Sequence, residues 1–492
     1  MRKLFLKEIT SAHAIIMALI ISLLYVYPTI NAGVYYIDDL ARSQTGYLGW
    51  SVLGRPLSDY IFYIFTFGGN SSVDISPLPQ LLSIVFMAIS IKYLSINLFK
   101  EITIASILCS SLVFITPLFL HNIIYKYDSL SMVLSLSSCI YSAFYKNKNS
   151  TIEFSVKTLL LVASLCLYQV SATAFIMLIS ISYAFNYSQK KTILISRLFK
   201  DLLVIFASYC IYLIILKTTA TTSRSETIFG YSNWFNLLEV NITKFINMYL
   251  NAYSSTVIAI ILFSMCIAIL IYSYSVYKYW KSYANTISRL ISLLLITLPL
   301  LLLLASMITI IVLKESLILP RIATTFGIIT LYIACIIYSR FKLFAGFFSF
   351  ILIFYTITTS FALSASTADQ FTRDTFLIND IKNTIMGNNT LSSSKTTTFG
   401  IAKESYVANI NSKHFPAVRM INSRVYDGTA SVMLTRYGLD GVNFSFDRKT
   451  WMKKALSVCE KNEAVIKNID FSIYNENKQN YVFLGNPPSS CK

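Results

Sequence analysis

Long apolar runs separated by short polar turns make up most of the chain before residue 364. A helix needs about 20 apolar residues to cross the hydrocarbon core of a bilayer. Runs near that length predict membrane-spanning helices at about residues 9–31, 78–98, 102–121, 128–145, 198–217, 254–277, 287–312, 321–339 and 342–364. The pattern therefore predicts a mainly α-helical, polytopic membrane bundle.

One further apolar stretch, residues 156–185, is too long for a single upright helix. It carries Tyr168 and Gln169 near its middle, and basic residues such as Lys148 and Lys190 flank its two ends. Because basic residues collect on the cytoplasmic side of membrane proteins, both ends should be cytoplasmic. The stretch is therefore predicted to be a re-entrant pair or two short helices, giving about 9–11 spans in all.

The excess of basic residues on the cytoplasmic side also predicts the orientation of the whole chain. Arg2, Lys3 and Lys7 precede the first span, which places the N-terminus in the cytoplasm. The external segments are then 32–77, 121–127, 218–253, 313–321 and 364–492.

The chain changes character at about Ser364, where it becomes rich in Asn, Ser, Thr, Lys and Asp. We therefore expect two domains: residues 1–363 as the membrane module, with 32–77 as its first external loop, and residues 364–492 as a small external α+β domain.

Composition supports the membrane assignment, because 55% of the residues are hydrophobic and only 13% are charged. A soluble protein of 492 residues would not bury that much apolar surface in one core. The net charge of +18 comes from short clusters beside apolar runs rather than from one basic face. The positive charge therefore indicates how the chain is oriented in the membrane, and it does not indicate a nucleic-acid partner.

Six of the eight cysteines lie within apolar runs, where cysteine behaves as a small hydrophobic residue. Cys459 and Cys491 lie in the polar tail. If the tail is in an oxidising compartment, these two cysteines can form a disulfide.

The first external loop carries the most candidate chemistry. Asp38 and Asp39 are adjacent acids, followed by Arg42 and Arg55. Adjacent carboxylates can bind a divalent cation, or one of them can act as a general base. Arginines can hold a phosphate by paired hydrogen bonds. Alternatively, the acids only cap a helix at the membrane surface, and spacing alone does not decide between these roles.

Other polar residues fall at the same predicted face. Lys126 and Asp128 head the span 128–145, where an acid is costly unless it is paired or used in function. Tyr168 and Gln169 lie at the apex of the 156–185 stretch, where we expect them to line a substrate cavity. Arg321 either neutralises a lipid phosphate or extends to the membrane interface as a solvated side chain.

Nucleotide-binding signatures are missing from the sequence, which has neither a P-loop nor a GxGxxG motif. If the protein is an enzyme, the energy of its reaction should come from a donor in the membrane. This points to a lipid-linked substrate.

Several of these segments form a recognisable series: IDDLARSQTGYLGWSVLGRPL, DISPLPQLL, YKYDSLSM, LYQVSA and LPR. The series resembles the bacterial O-antigen glucosyltransferase II family, the serotype-converting glucosyltransferases that modify lipopolysaccharide. The resemblance runs from the first loop to about Arg321. It implies a GT-C-type glycosyltransferase of the bacterial inner membrane.

The resemblance also implies substrates and roles. The donor would be undecaprenyl-phosphate-glucose and the acceptor a lipid-linked O-antigen on the periplasmic face, where the C-terminal domain would also lie. Asp38 or Asp39 would be the catalytic base of an inverting transfer, and Arg55, Arg321 and Lys126 would stabilise the departing phosphate. No cofactor is certain, and a divalent cation at the two acids stays open.

Three other functions are compatible with a polytopic basic protein. A transporter or flippase for lipid-linked sugars would need charges at mid-membrane depth, whereas the polar residues here concentrate at one face. An O-antigen polymerase would act on related substrates, and a sensor would need no catalytic acid. Charge-changing substitutions at Asp38 and Asp39 separate an enzyme from a flippase or a sensor.

Overall fold

The computed structural model of the protein describes residues 5–190, 195–219, 227–280, 286–314, 317–444 and 447–491. Part of the predicted external loop 218–253 lies outside these ranges. The chain divides into two compact units. The first comprises Met1–Ile30, Leu48–Phe361 and Phe415–Met420, and the second comprises Asn31–Tyr47, Ala362–His414 and Ile421–Lys492.

The helices up to residue 386 are α1 Ser11–Ala32, α2 Asp38–Thr45, α3 Pro56–Phe65, α4 Leu78–Leu94, α5 Ile104–Ser111, α6 Leu120–Ile123, α7 Ser129–Phe144, α8 Ser150–Tyr168, α9 Thr173–Ser188, α10 Ile195–Thr219, α11 Trp234–Leu250, α12 Ser255–Tyr279, α13 Thr286–Leu294, α14 Leu298–Ile311, α15 Phe326–Tyr338 and α16 Lys342–Met386. The elements that follow are α17 Asn389–Ser392, β1 Lys395–Gly400, α18 Tyr406–His414, α19 Pro416–Ile421, α20 Asp427–Arg436, α21 Arg448–Lys461, β2 Ile466–Lys467, β3 Phe471–Glu476 and β4 Gln479–Leu484.

Within the described ranges, seven helical segments are long and apolar enough to cross a membrane. They are Ser11–Ala32, Leu78–Phe99, Ser150–Ser188, Ser196–Thr219, Ser255–Tyr279, Ser288–Ile311 and Lys342–Met386. The predicted spans 128–145 and 321–339 correspond to the shorter apolar helices α7 and α15. The predicted polytopic helical bundle is confirmed.

The long apolar stretch reverses direction at its centre. Tyr168 leaves the helical conformation, with φ −158° and ψ 97°, and a short 3-10 turn, Gln169–Ala172, joins α8 to α9. Asp201 of α10 accepts hydrogen bonds from Lys157 of α8 at 2.9 Å and from Tyr183 of α9 at 2.7 Å. One carboxylate therefore contacts both arms at the same level. The predicted pair of helices is confirmed, and the start of α8 and the end of α9 both lie near Asp201.

The predicted span 102–121 is wrong. The helix there, α5, ends at Ser111, and irregular turns lead to α6. All residues from 105 to 125 are buried by protein, so non-helical backbone is tolerated at this depth. A side chain at Gly327 of α15 would lie 2.3 Å from the carbonyl oxygen of Leu112. The missing side chain lets α15 pack directly against the irregular segment.

Helix α16 continues to Met386, well past the predicted end of its span at residue 364. The chain has neither glycine nor proline from Phe347 to Met386, and Gly387 follows the last helical residue. Because those two residue types are the usual helix terminators, the polar second half stays helical.

The second unit contains a four-stranded sheet with strand order β1-β4-β3-β2. Strand β1 pairs in parallel with β4, and the other two pairs are antiparallel. Asn477 and Lys478, both with positive φ, form the two-residue turn between β3 and β4. This is the small sheet expected of an α+β tail.

Residues 31–47 belong to the same unit as that sheet, although the sequence places them in the first loop of the membrane module. Leu40 of α2 is buried in one core cluster with Ile378 and Ile381 of α16 and with Phe471 and Ile473 of β3. The apolar side of α2 therefore packs as part of a globular core, which hydropathy alone does not reveal.

Cys459 of α21 and Cys491 form a disulfide in the structure. The bond closes a loop with a sequence separation of 32 residues, and Cys459 also packs in a core cluster with Phe399 and Tyr474. The bond therefore links Cys491 to a residue that packs against the sheet.

The double variant Cys459→Ser/Cys491→Ser is expected to destabilise the second unit by about 2–4 kcal/mol, because a loop of this length restricts the unfolded chain. Limited proteolysis of the full protein measures the effect as faster cleavage after residue 364. Cys210→Ser, at an exposed free cysteine, is the matched control. Equal cleavage rates for the double variant and the wild type would contradict the prediction.

Candidate active site

A turn at residues 50–54, with Trp50 and Gly54 buried, organises the first part of the site. The Asp59 carboxylate accepts hydrogen bonds from the backbone N–H of Trp50 at 3.1 Å and of Ser51 at 2.6 Å, and also from the Ser51 hydroxyl. Asp59 lies in the first turn of α3, which begins at Pro56. Sequence reasoning missed Asp59, although an acid in a proline-initiated first turn is a known signal for a helix start.

Trp50 connects this turn to the start of α7. Its indole N–H donates to the carboxylate of Asp128, and both residues are buried, at 1% and 6% exposure. The Trp50 ring stacks on Phe62 at a centroid distance of 5.0 Å, and Phe62 stacks on Tyr127 at 5.5 Å. The acid that heads this helix is thus paired with a fixed donor, which offsets part of the cost of burying it.

Arg55 lies at the apex of the α8–α9 pair. Its Nε donates to Oε1 of Gln169 at 3.1 Å, and its guanidinium carbon lies 4.4 Å from the centroid of the Tyr168 ring. Gln169 in turn donates to the carbonyl oxygens of Leu53 at 2.8 Å and Gly54 at 3.1 Å. The side chain of Arg55 is therefore held from two directions.

Unlike Nε, the two terminal Nη groups of Arg55 are not held by the described part of the protein. Among the residues that the structure describes, none accepts a hydrogen bond from these groups, and none forms an ion pair with them. A fixed, partly exposed guanidinium with two available donors is suited to a phosphate or carboxylate.

Arg321 is fixed mainly through its backbone. Its carbonyl oxygen accepts hydrogen bonds from the hydroxyl of Tyr168 at 3.0 Å and from the amide of Asn122 at 2.8 Å. Its N–H donates to Nδ1 of His121 at 3.1 Å, and its Nη1 donates to the hydroxyl of Tyr125 at 2.8 Å. These bonds position the guanidinium of Arg321 beside the aromatic ring of Tyr125.

His121 lies outside the seven apolar helices and is 2% exposed. Burial, followed by the nearby charge of Arg321, lowers the pKa of His121 to about 3. The ring is therefore neutral near pH 7, and its Nδ1 can accept the Arg321 N–H. The cations of this region are consequently the arginines and Lys126, and not the histidine.

The separate sequence motifs meet in one hydrogen-bonded group. The GW segment binds the YDS segment through Trp50, the GRPL segment binds the LYQ segment through Arg55, and the LYQ segment binds LPR through Tyr168. The SPLPQ segment joins them because Gln80 donates to the carbonyl oxygen of Ile123 at 3.0 Å. These six segments, spread over more than 270 residues, thus build one local structure in the first unit.

The structure brings together Arg55, Asp128, Tyr168, Gln169 and Arg321 of the predicted site. Tyr168 is 1% exposed, and its hydroxyl is used internally, as are both polar atoms of Gln169. These two residues therefore position the arginines and the turn in this structure. Lys126 is partly exposed in the turn before Asp128.

The remaining predicted residues belong to the second unit, at α2. Asp39 is fully buried, and Asp38 is partly exposed in the same first helical turn. Arg42 is 4% exposed; its Nη1 donates to the Tyr47 carbonyl oxygen at 3.1 Å, and its guanidinium carbon lies 4.4 Å from the Tyr47 ring centroid. Exposure therefore distinguishes the two acids, which the sequence leaves equivalent.

The described residues contain no group of three or more histidine, cysteine, aspartate or glutamate side chains that could hold a metal ion. Asp38 and Asp39 are thus two adjacent acids without a third ligand of these types among the described residues.

Comparison with known proteins identifies the family. The family model described as "Glucosyl transferase GtrII" matches residues 27–332, which is more than half of the chain. The chain belongs to the GtrII glucosyl transferase family. The match contains every residue of the hydrogen-bonded group above, together with Asp38 and Asp39, and ends before α16 and the sheet. The resemblance seen in the sequence motifs is confirmed.

A relative of this GtrII protein occurs in Salmonella phage P22, described as an uncharacterized 55.3 kDa protein in the gtrB 5′ region. It is 37% identical over 155 residues, which cover 32% of each chain, so this GtrII chain spans about a third of that relative's length. No solved structure shows significant similarity to the GtrII chain.

Proposed function

We propose that the protein transfers glucose from undecaprenyl-phosphate-glucose to a lipid-linked O-antigen in the bacterial inner membrane. The observation that carries this proposal is the guanidinium of Arg55, which is held by Gln169 and Tyr168 with its two Nη groups available. Membership of the GtrII family supports glycosyl transfer, and the apolar helices support a donor that stays in the membrane.

For the topology, we propose a cytoplasmic N-terminus and a periplasmic domain 364–492. The reversal of the α8–α9 pair supports this arrangement, because it keeps the basic residues that flank both ends of the pair on one side. The disulfide between Cys459 and Cys491 is compatible with an oxidising compartment for the tail.

The proposed reaction is a single displacement at the anomeric carbon. A hydroxyl of the acceptor sugar attacks that carbon, its proton passes to a carboxylate, and the bond between the carbon and the phosphate oxygen breaks. The undecaprenyl phosphate departs with the bonding electron pair. Because attack and departure occur on opposite faces, the anomeric configuration inverts.

We assign the base to Asp38 rather than Asp39, because Asp38 is partly exposed and Asp39 is fully buried. A general base must come within hydrogen-bonding reach of the acceptor hydroxyl. We assign the stabilisation of the departing phosphate to Arg55, with Arg321 and Lys126 adding positive charge. Arg42 then supports α2 through Tyr47.

The test is to express the protein in a bacterium with a defined O-antigen and a source of undecaprenyl-phosphate-glucose, and to analyse the polysaccharide by mass spectrometry and NMR. A new hexose branch with an anomeric configuration opposite to that of the donor is expected. An unmodified polysaccharide, with the protein present in the membrane, would argue against transfer and favour a flippase. Repeating the reaction in membranes with EDTA tests the divalent cation.

Gly54→Ala is expected to lower the rate of transfer up to about 10²-fold, because displacing a substrate-binding group by about 1 Å can cost this much. Gly54 has φ +77°, and a side chain there would lie 2.6 Å from Leu216 and 2.9 Å from the amide nitrogen of Gln169. The substitution therefore moves the residue that holds Arg55.

The matched control for this substitution is Gly230→Ala, since a side chain at Gly230 meets no atom within 4 Å. Initial rates in isolated membranes, normalised to protein amount, measure both variants. A Gly54→Ala rate equal to that of Gly230→Ala would show that the turn does not position the site.

A further inference from the structure

A second polar cavity lies away from the residues discussed above. Its volume is about 370 Å³, and it is lined by the turn between α7 and α8 and by the first turns of α8 and α10. It is built from positively charged side chains of three chain segments: Lys146, Lys148, Lys157, Arg197 and Lys200. None of them takes part in the proposed transfer.

The two acids that line the cavity already have partners within the protein. Asp201 accepts from Lys157 at 2.9 Å and from the Tyr183 hydroxyl at 2.7 Å. Glu153 lies 3.5 Å from Lys157 and accepts from the Asn147 N–H at 3.2 Å. Both carboxylates therefore form their ion pairs with Lys157.

The other four cations have no such partner. In the part of the chain that the structure describes, Lys146, Lys148 and Arg197 form no ion pair, and Lys200 donates only to the Ser150 hydroxyl, at 2.9 Å. Partial desolvation, followed by the nearby charge of Arg197, lowers the pKa of Lys146. An anion bound in the cavity would relieve this repulsion.

The position of the cavity indicates which kind of anion it binds. Two apolar membrane-crossing segments begin beside it, at Ser150 and Ser196, so the cavity lies at a membrane boundary. Lipid phosphates occupy the same depth. On α10, Leu203 lies one turn beyond Lys200, and Phe199, Leu203 and Phe206 form an exposed apolar side, at 62%, 40% and 69% exposure. A lipid can place its headgroup among the cations and an acyl chain along these side chains.

We propose that this cavity binds the phosphate headgroup of an anionic membrane lipid. The site is separate from the proposed transfer, and its occupancy does not depend on a sugar donor. Basic pockets between membrane helices recognise such headgroups through charge and hydrogen bonds. The bound lipid would bridge α7, α8 and α10 at the end opposite the Arg55 turn.

The test is native mass spectrometry of the full protein in detergent with phosphatidylglycerol or phosphatidylcholine added. We expect preferential, saturable binding of phosphatidylglycerol. In Lys146→Gln/Arg197→Gln the half-saturating concentration should rise roughly 30-fold, since each basic residue near a membrane contributes about a factor of five. Lys449→Gln/Lys453→Gln, in an exposed helix of the second unit, removes the same net charge and should change nothing.

The outcomes separate the alternatives. Unchanged binding in Lys146→Gln/Arg197→Gln would overturn the proposal, as would equal binding of the two lipids. If soluble glycerol phosphate competes as strongly as the lipid, the cavity is a site for a free phosphate, and the proposal of a lipid headgroup is overturned. Should the double variant fail to fold, Lys148→Gln, at an exposed turn residue, gives the same decision with an expected change of about fivefold.

Discussion

Asp38→Asn is expected to lower the rate of glucosyl transfer by about 10²–10⁴-fold, which is the usual contribution of a general base. Asparagine has nearly the same shape as aspartate but does not take the proton of the acceptor hydroxyl. Binding of the lipid donor should persist, because the arginines and not Asp38 are proposed to hold the phosphate. The measurement is the initial rate in proteoliposomes, together with retention of radiolabelled donor by the protein.

Two variants serve as controls for Asp38→Asn. Asp380→Asn removes an exposed acid of α16 in the same unit and should leave the rate unchanged. Asp39→Asn changes a fully buried acid, so its first effect should be on the stability of the second unit, seen by proteolysis. If Asp39→Asn abolishes transfer in a stably folded protein while Asp38→Asn does not, the base is Asp39.

Arg55→Ala is expected to lower the rate of transfer by about 10²–10³-fold, as the loss of one donor to a developing negative charge does in other enzymes. The Nη groups of Arg55 are available for the departing phosphate, and the contacts with Gln169 and Tyr168 fix them beforehand. Steady-state kinetics with varied donor should show a fall in kcat larger than the rise in KM. A change confined to KM would mean that Arg55 binds donor and transition state equally.

The matched control for Arg55→Ala is Arg340→Ala. Arg340 also lies over a tyrosine, with its guanidinium carbon 5.7 Å from the Tyr279 ring centroid, and it donates to the hydroxyl of that tyrosine. Its loss removes an equal charge and a similar ring contact from another part of the first unit. Arg55→Lys should recover only part of the rate, because lysine lacks the planar pair of donors. Equal rates for the two alanine variants would exclude a specific role for Arg55.

Except at residues 102–121, the sequence by itself determined the apolar helices of the bundle and the reversal within residues 156–185. Hydrophobic length is a local property, and a stretch too long for one helix with basic residues at both ends has few solutions. The motifs around Trp50, Arg55, Asp128 and Arg321 were also visible, since each is a short run of adjacent residues. Their order along the chain was sufficient to indicate the family.

The wrong prediction of a membrane span at residues 102–121 has a physical cause. Hydropathy measures whether a segment avoids water, and it does not distinguish lipid from protein as the apolar surroundings. Residues 105–125 are buried inside the protein, and Gly327 approaches Leu112 closely at the point where the backbone is irregular. That approach joins residues more than 200 positions apart, and the local sequence carries no sign of it.

Only the tertiary structure decided which polar residues meet. Long-range hydrogen bonds join Trp50 to Asp128, Arg55 to Gln169 and Tyr168 to Arg321, and they depend on where whole helices pack. The same holds for α2, whose Leu40 enters the core of the second unit and whose two acids differ in exposure. The chemical type of each side chain is known from the sequence. Its neighbours and its access to solvent depend on residues far away along the chain.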